Sequence, residues 1–374
     1  MKSLTRANSK LARLMAAVND SDCMKEHPAL LSRSTQPVLL PDQPWEEGGR
    51  ISPVATFIDE SSGDLLLYYL LRSSERALAN ALCLARSNDG VNWTKPDYDS
   101  GTNIVMRSCG NENDWGQFYP CSIIRDEHET DETQNWKMIY WDCPDPKLGS
   151  GICLATSPDG IQWNRLHNHP IITGANDAAS LIDAFPDAKT PFKGGSHFIH
   201  QQTFTYNPDL PTDRDNLKQM HRAISIWKCD KFDERWVGPV RILEPDVDDE
   251  PDLQFYWLTA FKTPSGVYGG FLNCHHTIDQ TMDVQLVSSK DGWSWTREND
   301  RDPVIPLAHR GQFDCGLVSA IVPPVIWKDS VWVFYQGRPT VHDAQPRYPE
   351  VESQPNPGIG LAQFSTDFFN LNPQ

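Results

Sequence analysis

The 374-residue sequence contains no uninterrupted apolar run of 18 residues, which excludes a membrane-spanning helix. Its first stretch, "MKSLTRANSKLARLMAAVNDSD", carries basic side chains but no continuous apolar segment, so no cleaved leader is expected and a cytoplasmic location follows. Positive net charge is also missing. Lys and Arg number 33 against 50 Asp and Glu, a formal charge of −17. Such a surface repels phosphate backbones and anionic lipid, so neither nucleic acid nor a membrane is expected as a partner. The nine cysteines form no C-x-x-C pair and no zinc-ligand spacing, and are expected as free thiols in a reducing compartment. Helical spacing is scarce as well. The best instance is Leu4, Leu11, Leu14, Met15 and Val18, ahead of any strand pattern. It predicts a short N-terminal helix in an extension over 1–34, whose apolar stripe could pair two subunits as a homodimer.

Apolar residues make up 39% of the chain, enough for a sizeable core, and 13 are Trp. Several of these tryptophans recur in one setting. "SNDGVNW" (87–93), "SPDGIQW" (157–163) and "SKDGWSW" (289–295) are three copies of one motif. Each follows an alternating run ("ALCLAR", "GICLAT", "VQLVS") and precedes a short apolar run ("TNIVM", "HPIIT", "DPVIP"). Asp-Gly between two such runs marks a hairpin. A degenerate fourth copy, "AISIWKCDKFDERWVGPVRIL", keeps Asp230 and Trp236, and "GIGLAQFSTDFFNL" begins a fifth.

Two further strand patterns lie upstream of each copy, such as "RISPVATFID" and "LLLYYLL" before the first, or "CGLVSAIVPPVIW" and "SVWVFYQG" before the last. Four strands in each of five units predict an all-β protein, a five-bladed β-propeller of antiparallel blades over 35–374. The fifth unit lacks its last strand, and "TQPVLLP" (35–41) lacks a motif before it, so this segment is expected to close the ring. In a propeller the turn after each third strand lies on the face away from the pocket. The repeated Asp-Gly-x-x-Trp is therefore expected to be a structural clip, with Asp capping backbone N–H groups and Trp packing between blades. Asp59, Asp126, Glu127 and His128 are expected on that same far face.

The five units, "KMIYWD" followed by "ATSPDGIQW", and the late "GQFDCGLV…WVFYQG…H" resemble the five-bladed propeller glycosidases. These include the invertase-like, arabinofuranosidase/xylosidase and anhydrogalactosidase families. The resemblance spans about residues 35 to 370, by the strand pattern. It implies cleavage of a glycosidic bond in a central pocket. The invertase-like Asn-Asp-Pro is replaced here by "WEEGGRISP", the Arg-Asp-Pro of the second inner strand by "QFYP", and no Glu-Cys pair exists. The "RDP" at 301–303 precedes an outer strand. No catalytic residue carries over from that family.

Candidates therefore come from geometry. Glycoside cleavage needs a proton donor and a second group, acting as base or nucleophile, across the bond. Positions just before innermost strands lie closest to the axis, which selects Glu47, Asp114, Asp177, Asp252 and Asp314. Trp45, Glu46, Arg50, Trp115, Tyr119 and Gln312 share those loops and are candidate substrate contacts. The turns after second strands add Arg222, His275, His276, Arg338 and His342. Adjacent strand residues point to opposite faces, so only one of His275 and His276 can face the centre. No cofactor is required by this pattern, although histidines and carboxylates converging on the axis leave room for a divalent cation. Three functions stay open: hydrolysis of a terminal sugar, phosphorolysis or elimination assisted by Arg50, Arg222, Arg310 or Arg338, and carbohydrate binding without catalysis.

Overall fold

The computed structural model describes residues 26–73, 80–108, 118–183, 195–208 and 215–373. The described chain is built of strands, and its helical pieces are 3₁₀ turns of three or four residues. The helix expected near residues 4–18 lies outside the described residues. No helix among the described residues is long and apolar enough to cross a membrane.

The strands form five successive antiparallel meanders. The first runs through β2 (Arg50–Ile58), β3 (Leu65–Arg72), β4 (Ala81–Ser87) and β5 (Ile104–Arg107), and β1 (Leu30–Arg33) precedes it in the chain. The second comprises β6 (Tyr119–Arg125), β7 (Trp136–Asp142) and β8 (Gly151–Ser157), on which β9 (Asn164–Arg165) and β10 (Ile172–Thr173) both pair. The third is β11 (Ala179–Asp183), β12 (His197–Tyr206), β13 (Met220–Cys229) and β14 (Val237–Leu243). The fourth is β15 (Leu253–Lys262), β16 (Tyr268–His276) and β17 (Met282–Ser289), edged by β18 (Thr296–Arg297) and β19 (Pro303–Ile305). In the fifth, β20 (Leu317–Ser319) and β21 (Val325–Trp327) share the partner β22 (Ser330–Arg338), followed by β23 (Gly358–Phe364) and then β1. A single parallel pair, Met282 with Leu317, joins the fourth and fifth.

Burial explains why the meanders stack. Leu82 and Tyr68 of the first pack on Met138 and Tyr140 of the second. Ile139 and Leu154 meet Leu181 and Ile199 of the third, and Ile224 meets Phe255 and Leu272 of the fourth. Phe271 and Val284 pack on Val333 and Tyr335 of the fifth. Phe334 and Ile359 then return to Leu67 and Ile51 of the first. Packing between sheets thus runs in a cycle, a propeller-like arrangement.

The repeated motif is the clip its spacing implies. In "SKDGWSW", Ser289 Oγ accepts the Gly292 N–H at 2.8 Å, and Asp291 Oδ1 accepts Trp293 N–H and Ser294 N–H, each at 2.8 Å. The other two copies repeat these bonds. The glycine is required twice over: Gly160 has φ +75°, and a Cβ there would stand 2.3 Å from Tyr68 Oη. Trp93 of the first copy packs edge-on against Phe334 of the fifth meander, ring centroids 5.4 Å apart. Asp126 is not a solvated turn residue. It is buried, with Oδ2 accepting from Lys137 Nζ (2.8 Å) and lying 2.9 Å from His197 Nε2.

Two strand expectations need correction. The closing strand is Leu30–Arg33, not 35–41; the latter follows it along β23 with a bridge from Leu39 to Ile359 and a Val38 N–H donated to the Ile359 carbonyl, but forms no strand. Pro37 and Pro41 cannot donate to a ladder, whereas "LLSR" can. The boundary drawn at residue 35 thus falls inside the closing segment. The expected strand "CGLVSAIVPPVIW" is broken into β20 and β21, because Pro323 and Pro324 interrupt its pairing with β22.

Candidate functional site

The start of β2, the start of β6, the turn before β11 and the bulged part of β15 converge on one cavity of about 230 Å³. Arg50 and Ser52 come from β2, Tyr119 from β6, Asp177 from the turn, and Tyr256 and Trp257 from β15. The distal ends of β3 and β22 add Arg72 and Arg338, and His342 reaches in from the following loop. Strict alternation would aim only one of Tyr256 and Trp257 inward. A bulge in β15 between Phe255 and Trp257 lifts that restriction, so both aromatic rings line the cavity.

Asp177 is the one carboxylate lining the cavity among the described residues. Its turn is pinned from below. Asn176 Nδ2 donates to Gln202 Oε1 at 2.8 Å, and Gln202 Nε2 donates to the Tyr256 carbonyl at 3.0 Å, tying the third meander to the fourth. Burial pushes the Asp177 carboxyl above the ordinary aspartate value, and its own backbone N–H and the charge of Arg72 only partly offset this. The shift favours the protonated form relative to an ordinary aspartate.

Around it stand cations. Arg50 and Arg72 are direct cross-strand partners. Burial, with the charges of Arg50 and Arg72 adding to it, brings Arg338 down to about 10. Arg72 lies over the Tyr119 ring, 5.7 Å from its centroid. Behind this layer, Tyr256 Oη lies 3.1 Å from His342 Nε2, and the His342 ring is 4.4 Å from that of His275. Burial, then the charges of Arg222 and Arg338, lower His342 to about 4, so it is neutral at physiological pH. Burial raises Tyr256 to about 12.

Asp215, His275 and His342 bring ligand atoms within 4.8 Å of one another, the donor set for a divalent metal. The electrostatics oppose that use. Both oxygens of Asp215 accept from the buried Arg222 guanidinium, which also donates to Gln254 Oε1 at 2.6 Å. Burial lowers both histidines first, the Arg222 charge adds to it, and that fixed positive charge would repel a cation.

Of the residues singled out from sequence, Asp177, Arg50, Tyr119, Arg338 and His342 line the cavity. Arg222 and His275 lie in the layer behind. The expected alternation holds on β16: His275 faces Tyr256 and His342, and His276 bonds Asp283 at 2.9 Å. The structure does not bring the other described candidates to this cavity. Asp314 is buried in a clasp with Arg33 and with Tyr335 Oη at 2.8 Å. Glu46 is a buried hub accepting from Tyr69 Oη (2.6 Å) and Lys95 Nζ (2.5 Å). Trp45, partly buried against the core, donates from Nε1 to Asn103 Oδ1 at 3.0 Å, and Glu47 is exposed. Asp252 accepts the Ile278 N–H at 3.2 Å, and Gln312 accepts the His309 N–H at 3.0 Å. Asp114 and Trp115 lie outside the described residues. Arg72, Tyr256 and Asp215 were not singled out. Arg72 ends "LLLYYLLR", the second strand of the first unit, the same kind of position that selected Arg222 and Arg338. Tyr256 needed the bulge.

No protein-family model and no curated protein sequence matches the chain. Solved structures do. A structure titled only "Glycoside hydrolase" superposes with TM-score 0.61 at 13% identity, covering 90% of this chain and 92% of its own. The β-1,2-mannobiose phosphorylase of Listeria innocua gives 0.55 at 11% identity, covering 90% and 97%. A fructofuranosidase of Schwanniomyces occidentalis, complexed with fructosylnystose, gives 0.54 at 14% identity, covering 90% of this chain and 60% of its own. The chain shares the fold of these glycoside hydrolase-like propeller enzymes.

Proposed function

We propose that the five meanders are the blades of a five-bladed propeller, and that the protein is a carbohydrate-active enzyme cleaving a terminal glycosidic bond in the central cavity. The observation that carries this is Asp177: a carboxyl lining the cavity, held toward its acid form by burial, beside three aromatic rings. Sugars stack their apolar faces on such rings. A cavity this small suits the end of a chain better than its middle. Asp177 would donate its proton to the glycosidic oxygen as the bond to the anomeric carbon breaks, releasing the leaving sugar as an alcohol. The enzymes of like fold act on carbohydrate by different reactions, which supports the substrate class more than the reaction.

Hydrolysis requires a second group to activate water, and Asp114, placed by sequence ahead of β6, is our candidate for that base. Phosphorolysis is the second reading. One described acid beside three cavity arginines favours it, because bound phosphate can itself attack the anomeric carbon. The test is a screen of aryl glycosides and plant and marine oligosaccharides with product analysis, each with and without phosphate. A free reducing sugar regardless of phosphate supports hydrolysis, and a sugar phosphate formed only with phosphate supports phosphorolysis. No cleavage, with sugar bound in the cavity, would establish a carbohydrate-binding protein instead.

A further inference from the structure

We infer that Arg50, Arg72 and Arg338 form an oxyanion site, so that the cavity takes a ligand bearing a carboxylate, sulfate or phosphate group. The inference rests on the central cavity being the substrate site and names what that substrate, or its co-substrate, must carry.

Most other described arginines of this chain sit against a carboxylate. With 50 acidic side chains against 33 basic ones, partners are plentiful. Arg33 pairs with Asp314, Arg86 with Asp59, Arg125 with Glu60, Arg222 with Asp215, Arg297 with Asp249 and Arg301 with Asp246. Arg165 and Arg347 donate instead to backbone carbonyls, of Arg107 and Cys315; the three cavity arginines differ in standing together around one cavity. No carboxylate among the described residues forms an ion pair with any of them. Arg338 donates from Nη2 to the Val341 carbonyl at 3.1 Å, while its buried Nε–H meets no acceptor. Arg50 and Arg72 face each other across β2 and β3, where like charges destabilise a sheet. Each side chain alone has a bland explanation, but three converging on one cavity of an acidic protein do not. Burial first, and then the charges of Arg50 and Arg72, bring Arg338 down to about 10.

Asp177 offers one negative charge at most, and burial favours its neutral form. A planar carboxylate or a tetrahedral sulfate or phosphate would supply the missing acceptors, and guanidinium forks match both bidentately. A cationic or neutral ligand would leave the repulsion standing. The group has two sources: a substituent on the sugar, as in a uronic acid or sulfated sugar, or inorganic phosphate as co-substrate.

Binding measures this without catalysis, so it is separable from the proposed bond cleavage. The full-length protein would be titrated by calorimetry with inorganic phosphate, sulfate, glucuronate and galacturonate, and with glucose and galactose as neutral counterparts. At least one anion is expected to bind about tenfold or more tightly than its neutral counterpart or than chloride, the worth of one charge-assisted bond. Arg338→Met should remove about tenfold of that affinity, and the exposed Arg50→Gln gives the same readout if the first variant fails to fold. Tight binding of free phosphate assigns the co-substrate source. Tight binding of the acidic sugars with weak phosphate binding assigns the substituent. If no anion outbinds its neutral counterpart, or if Arg50→Gln binds anions as well as the parent protein does, the inference is wrong.

Discussion

Asp177 and Asp314 look alike in sequence, each a short-loop aspartate ahead of an inner strand, yet their surroundings set them apart. Asp314 is matched by a guanidinium and a phenol; Asp177 has neither, and burial raises its pKa. This gives a stability signature with a definite sign. Because the folded value of Asp177 lies above the ordinary 3.8, the folded state binds that proton more tightly than the unfolded state does. The stabilising contribution is complete below 3.8 and is lost as pH rises through the folded value. Asp177→Asn removes the buried charge, so the variant is expected to melt above the parent at pH 7, with the gap closing toward pH 3.5. A lower Tm for the variant at pH 7 in calorimetry would show that the carboxylate is paired after all. This difference is not legible in sequence, because pairing partners such as Arg33 are 281 residues away in the chain.

At the scale of strands and turns, the repeated serine, aspartate-glycine and tryptophan carried most of the fold. The motif was legible because its chemistry is local: every cap bond spans two or three residues. Asp291→Ala is expected to lower stability by about 1 kcal/mol, in the range of lost caps, while the folded fraction keeps its specific activity. Denaturant melts and active-site titration together would check it, and lost activity without lost stability would place the turn near the cavity. Less legible were features decided by distant partners. The closing strand was placed at 35–41 by its likeness to other outer strands, whereas β1 is Leu30–Arg33, where Arg33 reaches Asp314, Tyr335 and the Pro306 carbonyl. Breaking a buried pair leaves a charge stranded, at a cost of about 3–5 kcal/mol. Arg33→Met should therefore shift the urea midpoint strongly downward, far more than Ser32→Ala on the same strand. Equal effects of the two would remove the clasp from the account. The bulge that turns both Tyr256 and Trp257 inward was likewise hidden, since a period of two cannot announce its own interruption.

Across the whole molecule, charge is unevenly distributed: an acidic protein of net charge −17 surrounds a cavity whose charged lining, among the described residues, is three arginines and one aspartate beside His342. The overall balance was readable from composition, and it pointed away from nucleic acid. The local inversion was not, because the arginines sit in the first and fifth meanders, near opposite ends of the chain. The fold supplies the meeting point, and in the proposed reaction Asp177 would supply the proton that bond cleavage requires. The most direct test is the turnover of Asp177→Asn on a saccharide identified by the screen, with folding verified by its melting curve. The expected result is a loss of about two to four orders of magnitude in kcat. Near-normal turnover by the folded variant would contradict the assignment of Asp177 as the acid.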